Sequence, residues 1–175
     1  MKKHLLYSFA ALSCAAGLCP SCSDYDKTLL DNCERTSINV VYNNQYVPLK
    51  MLSATLVRQP GAKVLSQEAY FSDSVKLLLK VTDTAWAAGG GQGHDSLTLG
   101  TYRYVRNSKD TLGRVIAGFR QGTQLQWLPT DSSAITISAV DVKRRTVTGR
   151  YYLRTVSPAM VISGEFSEVC LLSIP

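Results

Sequence analysis

Residues 135–166 read ITISAVDVKRRTVTGRYYLRTVSPAMVISGEF. Three runs within them, from Ile135, Val147 and Met160, alternate apolar and polar side chains in period two. They are rich in β-branched and aromatic residues and are separated by turn chemistry. The stretch predicts a three-stranded β-meander. In the middle strand Val147, Gly149, Tyr151 and Leu153 share one face, because successive side chains point opposite ways. Thr148, Arg150, Tyr152 and Arg154 share the other. The apolar face belongs on the core, and Met160, Ile162, Gly164 and Phe166 are its counterpart in the last strand. A loop over Val156–Ala159 pairs Thr155 with Met160. That register sets Leu153 opposite Ile162, Tyr151 opposite Gly164 and Gly149 opposite Phe166. Each glycine then faces an aromatic ring, the arrangement of a sharply curved sheet. Ile135, Ile137 and Ala139 are expected inward, opposite Tyr151, Gly149 and Val147. A slip of one residue would turn all these apolar groups into water.

The stretch "AITISAVDVKRRTVTGRYYLRTVSPAMVISGEFSEV", preceded by "LTLGTYRY", resembles a group of uncharacterised lipoproteins of Bacteroidota-type gut bacteria. The residues that carry the likeness are Gly100-Thr101-Tyr102, Ile135-Thr136-Ile137, Gly149 with Tyr151, and Gly164 with Phe166. The likeness covers roughly residues 75–170. It implies a β-barrel or sandwich domain akin to the calycins and carries no settled activity.

Outward from the meander, other segments read as strands. Thr36–Tyr42 is the first, turning at Asn43-Asn44 into Gln45–Val57. Pro48 interrupts that second strand and implies an edge or a bulge. Residues 64–72 are ambiguous between a short helix and an irregular strand. Val75–Val81 is a strand with Val75, Leu77, Leu79 and Val81 inward. Residues 84–94 form a loop. Thr101–Val105, Arg114–Arg120 and Thr123–Leu128 follow, and residues 129–133 link to the meander. The count is nine or ten strands in an all-β, single-domain antiparallel barrel or closed sandwich with meander connectivity.

The first 21 residues read as an address. Lys2 and Lys3 precede an apolar run from Leu5 to Leu18, of signal-peptide length. Cys14, Cys19 and Cys22 follow in and after it. Cys22 has the small Ser21 before it, whereas Cys19 has the bulky Leu18, so Cys22 is the expected lipidation site. Asp24 and Asp26 resemble the acidic signal that sends such lipoproteins to the outer face of the cell. The expected organisation is a signal peptide over 1–21, a tether over 22–35 and the β domain over 36–175. A multiply acylated cysteine anchors stably, at about 0.8 kcal/mol per buried methylene. Partners then include the membrane through that anchor, at the outer membrane or cell surface.

Of 175 residues 45% are hydrophobic and 18% charged, enough for one real core. The formal charge is +6, and removing Lys2 and Lys3 leaves 17 basic against 13 acidic residues. That excess is scattered, without the concentrated basic stripe of a nucleic-acid binder. Cys33 precedes the first strand and Cys170 ends the last. First and last strands of a closed barrel are neighbours, so a Cys33–Cys170 bridge is reasonable in an exported compartment.

Chemistry is sparse. Past the leader there is one histidine, His94, beside Asp95 in a glycine loop, with no CxxC, HxxxH or calcium-loop rhythm. No metal or cofactor is expected. No Gly-x-Ser-x-Gly elbow accompanies His94. Gly89–Gly93 lacks the Gly-Lys-Ser/Thr of a phosphate loop. Asp73, Asp83, Asp95, Asp141, Glu165 and Glu168 are assigned to turns or outward faces and form no catalytic pair. No catalytic residue is named. Trp86, Trp127, Tyr102 and Tyr104 are the candidate ligand contacts, since aromatics stack on sugars and apolar molecules; core or rim packing is the simpler role for each. The reading is a non-enzymatic ligand-binding or interaction module for a small apolar or glycan ligand. The alternative is a structural or assembly component of the cell envelope, with an enzyme the least favoured.

Overall fold

The computed structural model describes residues 33–42, 44–72, 74–85, 96–121 and 123–174. The proposed signal peptide and Cys22 lie outside the described residues, as do Trp86, His94, Asp95, Asp73 and the Gly89–Gly93 loop. The chain is all-β. Its strands are β1 (Ser37–Tyr42), β2 (Gln45–Gln59), β3 (Ala62–Ser72), β4 (Val75–Asp83), β5 (Gly100–Val105) and β6 (Gly113–Gln121). β7 (Gln124–Trp127), β8 (Thr130–Asp141), β9 (Thr146–Thr155), β10 (Val161–Cys170) and β11 (Leu172–Ile174) complete it. They form one curled sheet, a half-barrel, in the order β5-β8-β9-β10-β1-β2-β3-β4-β6-β7. All of these neighbours run antiparallel, while β11 adds to β2 in parallel.

Two meanders, β8–β9–β10 and β1–β2–β3–β4, meet where the first strand pairs with the tenth, Ile38 opposite Phe166. The meander register is Leu153 opposite Ile162, Tyr151 opposite Gly164, and Gly149 opposite Phe166. The glycines are required by close approach. A Cβ on Gly149 would meet the Phe166 ring and the Thr136 carbonyl, and one on Gly164 would meet Asn39 O and the Tyr151 ring. Tyr151 crosses Gly164 and donates its hydroxyl proton to Asn39 O at 2.7 Å, tying β9 to β1 over the strand between them. Phe166 and Leu153 are fully buried in this half.

Ala139 departs from the expected register. A bulge between Ile137 and Ala139 sets Ala139 opposite Thr148 and Val140 opposite Val147. The extra residue reverses the alternation, so Ala139 is exposed and Val140 packs toward the core. Residues 64–72 belong to a strand, β3. Pro48 sits where β2 overhangs β3, since that ladder begins at Lys50; the bulge of β2 falls later, between Met51 and Ser53.

Residues 130–133 are strand rather than linker, and they close the sheet. Ser133 Oγ donates to Gly113 O at 2.9 Å and accepts from Val115 N–H at 3.0 Å. Thr130 Oγ1 donates to Val115 O at 2.7 Å. Side chains of β8 thus satisfy the backbone of β6 where no ladder runs. The ends are joined beside the first and tenth strands. Cys33 and Cys170 form a disulfide with Cα atoms 5.4 Å apart. Next to it Thr36 Oγ1 donates to Glu168 O at 2.9 Å and accepts from Cys170 N–H at 3.3 Å. Among the described residues no helix is long and apolar enough to cross a membrane.

Candidate functional site

At one end of the half-barrel the interior is not filled. A cavity of about 650 Å³ opens there between the ends of β1, β2, β3, β4, β6 and β10. β1 and β2 supply Val40, Val41, Val47 and Leu49. β4 and β6 supply Val75, Leu77, Ala117 and Phe119, paired as Val75 with Phe119 and Leu77 with Ala117. Met160, Val161 and Ile162 close it from β10 and the loop before it.

The void follows from the sequence. Leu77 is flanked across the sheet by Ala69 and Ala117, both buried. Two methyl groups stand where the other half has a phenylalanine and a tyrosine, so the side chains do not reach the middle. Bulges between Met51 and Ser53, and between Tyr70 and Ser72, fall in the same end of the sheet. Bulges bend strands and re-aim side chains. Phe71, 57% exposed, and Val161, 67% exposed, stand at the rim.

Polar groups near the mouth are few. Lys76 lines the cavity and its Nζ is 3.0 Å from Glu68 Oε1, each side chain about one-third exposed. Such a pair adds little stability. Lys50 Nζ lies 5.8 Å from the centre of the Tyr70 ring.

One polar side chain lies behind the apolar floor. Gln67 is 1% exposed on β3, and neither its Nε2 nor its Oε1 has a hydrogen-bond partner among the described residues. It is paired with Leu79 on β4 and Ala54 on β2. Its inward position continues the alternation Lys63, Leu65, Gln67, Ala69.

The other end of the interior carries a buried polar cluster. Asp83, expected outward or in a turn, is fully buried. It extends the inward series Val75, Leu77, Leu79, Val81 by one more alternation. Its carboxylate accepts from Thr98 N–H at 2.7 Å and Ala85 N–H at 3.1 Å. Its register partner Lys63 is also fully buried and donates from Nζ to Ser96 O at 2.9 Å. Tyr102 donates to Thr98 O at 2.6 Å. Burial, and then the Asp83 charge, push the Tyr102 phenol well above its ordinary value. These groups grip both flanks of the connection between β4 and β5, and their polar atoms are engaged in doing so. Residues 83 and 63 were reachable from the sequence, because each continues a period-two series by one step.

The aromatic candidates are dispersed. Tyr102 is core. Tyr104 is half-buried, with the Arg114 guanidinium 5.0 Å from its ring centre. Trp127, 45% exposed, pairs with Gly118 and lies against it, on the face opposite Ala117 and Phe119. None of the three lines the cavity. Among the described residues no three His, Cys, Asp or Glu side chains gather into a metal-binding group.

No family model matches this chain, and neither a curated protein nor a solved structure is significantly similar to it.

Proposed function

We propose that this chain is a non-enzymatic, exported lipoprotein module that binds a small apolar molecule in the mouth of its half-barrel. The observation that carries the reading is the 650 Å³ cavity, lined by valine, leucine, alanine, isoleucine, methionine and phenylalanine. Ligand cavities of about 300–1,000 Å³ with apolar walls and few polar groups are the ordinary form of small-molecule sites. The lining disfavours a glycan. A sugar needs many hydrogen-bond partners, and Lys76 and Tyr70 are the polar side chains on offer.

Export and anchoring are supported by Lys2 and Lys3, the apolar run after them, and Cys22 with Asp24 and Asp26 downstream. Labelled palmitate should enter the wild-type chain in a bacterial host and be absent from Cys22→Ala. A chain still labelled after that substitution contradicts the assignment of Cys22.

The binding test is native mass spectrometry of the protein purified from a bacterial periplasm. A retained adduct of a few hundred daltons is the expected result. Ala117→Phe, which fills the cavity, should remove it while the fold is kept. An adduct unaffected by Ala117→Phe contradicts the reading. A second reading, an envelope assembly component, is favoured by the exposure of Tyr46, Phe71 and Val161. Such apolar surface is a feature of docking sites. A bare chain that self-associates or captures a partner through these residues supports it.

A further inference from the structure

We infer that the cavity selects an amphiphile whose leading end is a neutral hydroxyl, carried in to Gln67 while the apolar body remains among the lining residues. The inference rests on the cavity reading above. It deepens that reading by fixing the class and orientation of the ligand.

Two observations meet here. The first is the cavity, whose inner wall includes Leu77 and Ala117. The second is the amide of Gln67, almost wholly buried, with donor and acceptor both unpartnered among the described residues. Gln67 is directly opposite Leu79 and therefore diagonal to Leu77 on the same inward face. Diagonal neighbours in a ladder are roughly 7–8 Å apart at Cα and within reach of long side chains. Gln67 is not itself a lining residue. Between it and the mouth the next inward residue of β3 is the buried Ala69, so along that strand a single methyl group separates the amide from the lining at Tyr70 and Phe71.

A buried amide without partners is costly, and native proteins rarely leave one so. Its neighbours across the sheet, Ala54, Leu79 and, beyond, Val115, offer no polar side chain. A group arriving from the cavity can satisfy it. Nε2–H donates and Oε1 accepts, so the best complement both accepts and donates. A hydroxyl does both. A carboxylate accepts only, and its charge would have to be buried beside leucine, valine and alanine. The cation on this face of β3, Lys63, stands two inward positions further along with its Nζ bonded to Ser96 O.

The test is a methyl-resolved NMR titration of the purified, disulfide-bonded protein with 1-octanol, n-octane and octanoate. Wild type should bind 1-octanol about tenfold tighter than octane, the value of one well-made hydrogen bond, and octanoate most weakly. Gln67→Leu should abolish the preference for octanol, octane then binding at least as tightly because the hydroxyl has no buried partner, with octane affinity unchanged. Gln67→Met, of similar volume, guards against a packing artefact and should behave the same way. Octanol and octane bound equally by wild type would overturn the inference and leave the apolar cavity standing. So would a preference for octanol that survives both substitutions, which would assign the amide to structure alone. If wild type binds none of the three, the cavity reading falls and the inference with it.

Discussion

The two halves of the interior are built from the same period-two alternation and end differently. In the β8–β10 half, Tyr151 and Phe166 lie over Gly164 and Gly149, and the rings fill the space that the glycines vacate. In the half made by β1 to β4 and β6, alanines flank Leu77 and no ring crosses the gap, so a cavity remains. A large residue opposite a small one interlocks, and two small ones opposite a medium one do not. The lesson is that the filled half supplies curvature, closure is shared between the halves through the contacts of β8 with β6, and the capacity to hold a ligand belongs to the other half.

The strongest way to break this comparison is to truncate one ring in each half. Phe166→Ala should cost about 3–5 kcal/mol, as for a fully buried phenylalanine. Phe119→Ala, at a wall that already borders space, should cost about 1 kcal/mol, an ordinary substitution. Urea unfolding of the two variants measures both, and equal losses would erase the distinction between the halves.

Next in size is the covalent tie. Replacing both Cys33 and Cys170 by alanine should lower stability by about 2–5 kcal/mol, because the bridge constrains a long segment of the unfolded chain. The cavity itself should persist, since its walls lie on strands paired independently of the bridge. Denaturant midpoints with and without the bridge, together with ligand binding, check both statements.

Adding atoms should sort the halves as removing them does. Gly164→Ala forces a methyl against Asn39 O and the Tyr151 ring and should cost about 1–3 kcal/mol. Ala117→Leu extends into the cavity and should change stability by less than about 1 kcal/mol. Thermal unfolding compares them; a larger loss at Ala117 would mean that its surroundings are already full.

The smallest effect is a pH dependence. Burial pushes the Tyr151 phenol well above its ordinary value of 10.0. Unfolded tyrosines ionise near pH 10. In the native chain Tyr151 keeps its proton, so the folded state binds more protons above that pH. Its contribution to stability is therefore complete below about pH 10 and declines as pH rises beyond it. Tyr151→Phe loses the bond to Asn39 O, about 1 kcal/mol at pH 7, and should show a shallower alkaline decline. Stability measured from pH 7 to 11.5 tests it, and parallel curves would contradict it.

The sequence was most legible where one face is buried and the register is pinned by size. Glycine opposite aromatic, twice in adjoining strands, left one workable alignment, and the pairing of β9 with β10 follows it. The bulge that turns Ala139 outward was not legible, because alanine and serine on either side of it suit both faces. Asp83 reads as a turn or outward residue although the alternation of its strand carries it inward, and Lys63, just before a segment of ambiguous structure, has no placement from the sequence at all. Burial won there because backbone N–H groups at Ala85 and Thr98, and a carbonyl at Ser96, receive them. The cavity was the least legible feature. It depends on Ala69 and Ala117 meeting the same leucine from two strands far apart in the chain, and single-strand patterns do not contain that meeting. Tyr102, Tyr104 and Trp127 stand away from the cavity, and a wall of aliphatic residues has the same pattern as any core strand.

Xenon offers the most direct test of the claim that one half is filled and the other open. It enters dry apolar cavities and has no chemistry of its own. Under xenon pressure, methyl-resolved NMR of the disulfide-bonded protein should show saturable shifts at Val40, Val47, Leu49, Leu77 and Ile162. Val147 and Leu153, packed in the filled half, should stay still. Shifts of equal size in both groups, or none in the first, would contradict the account.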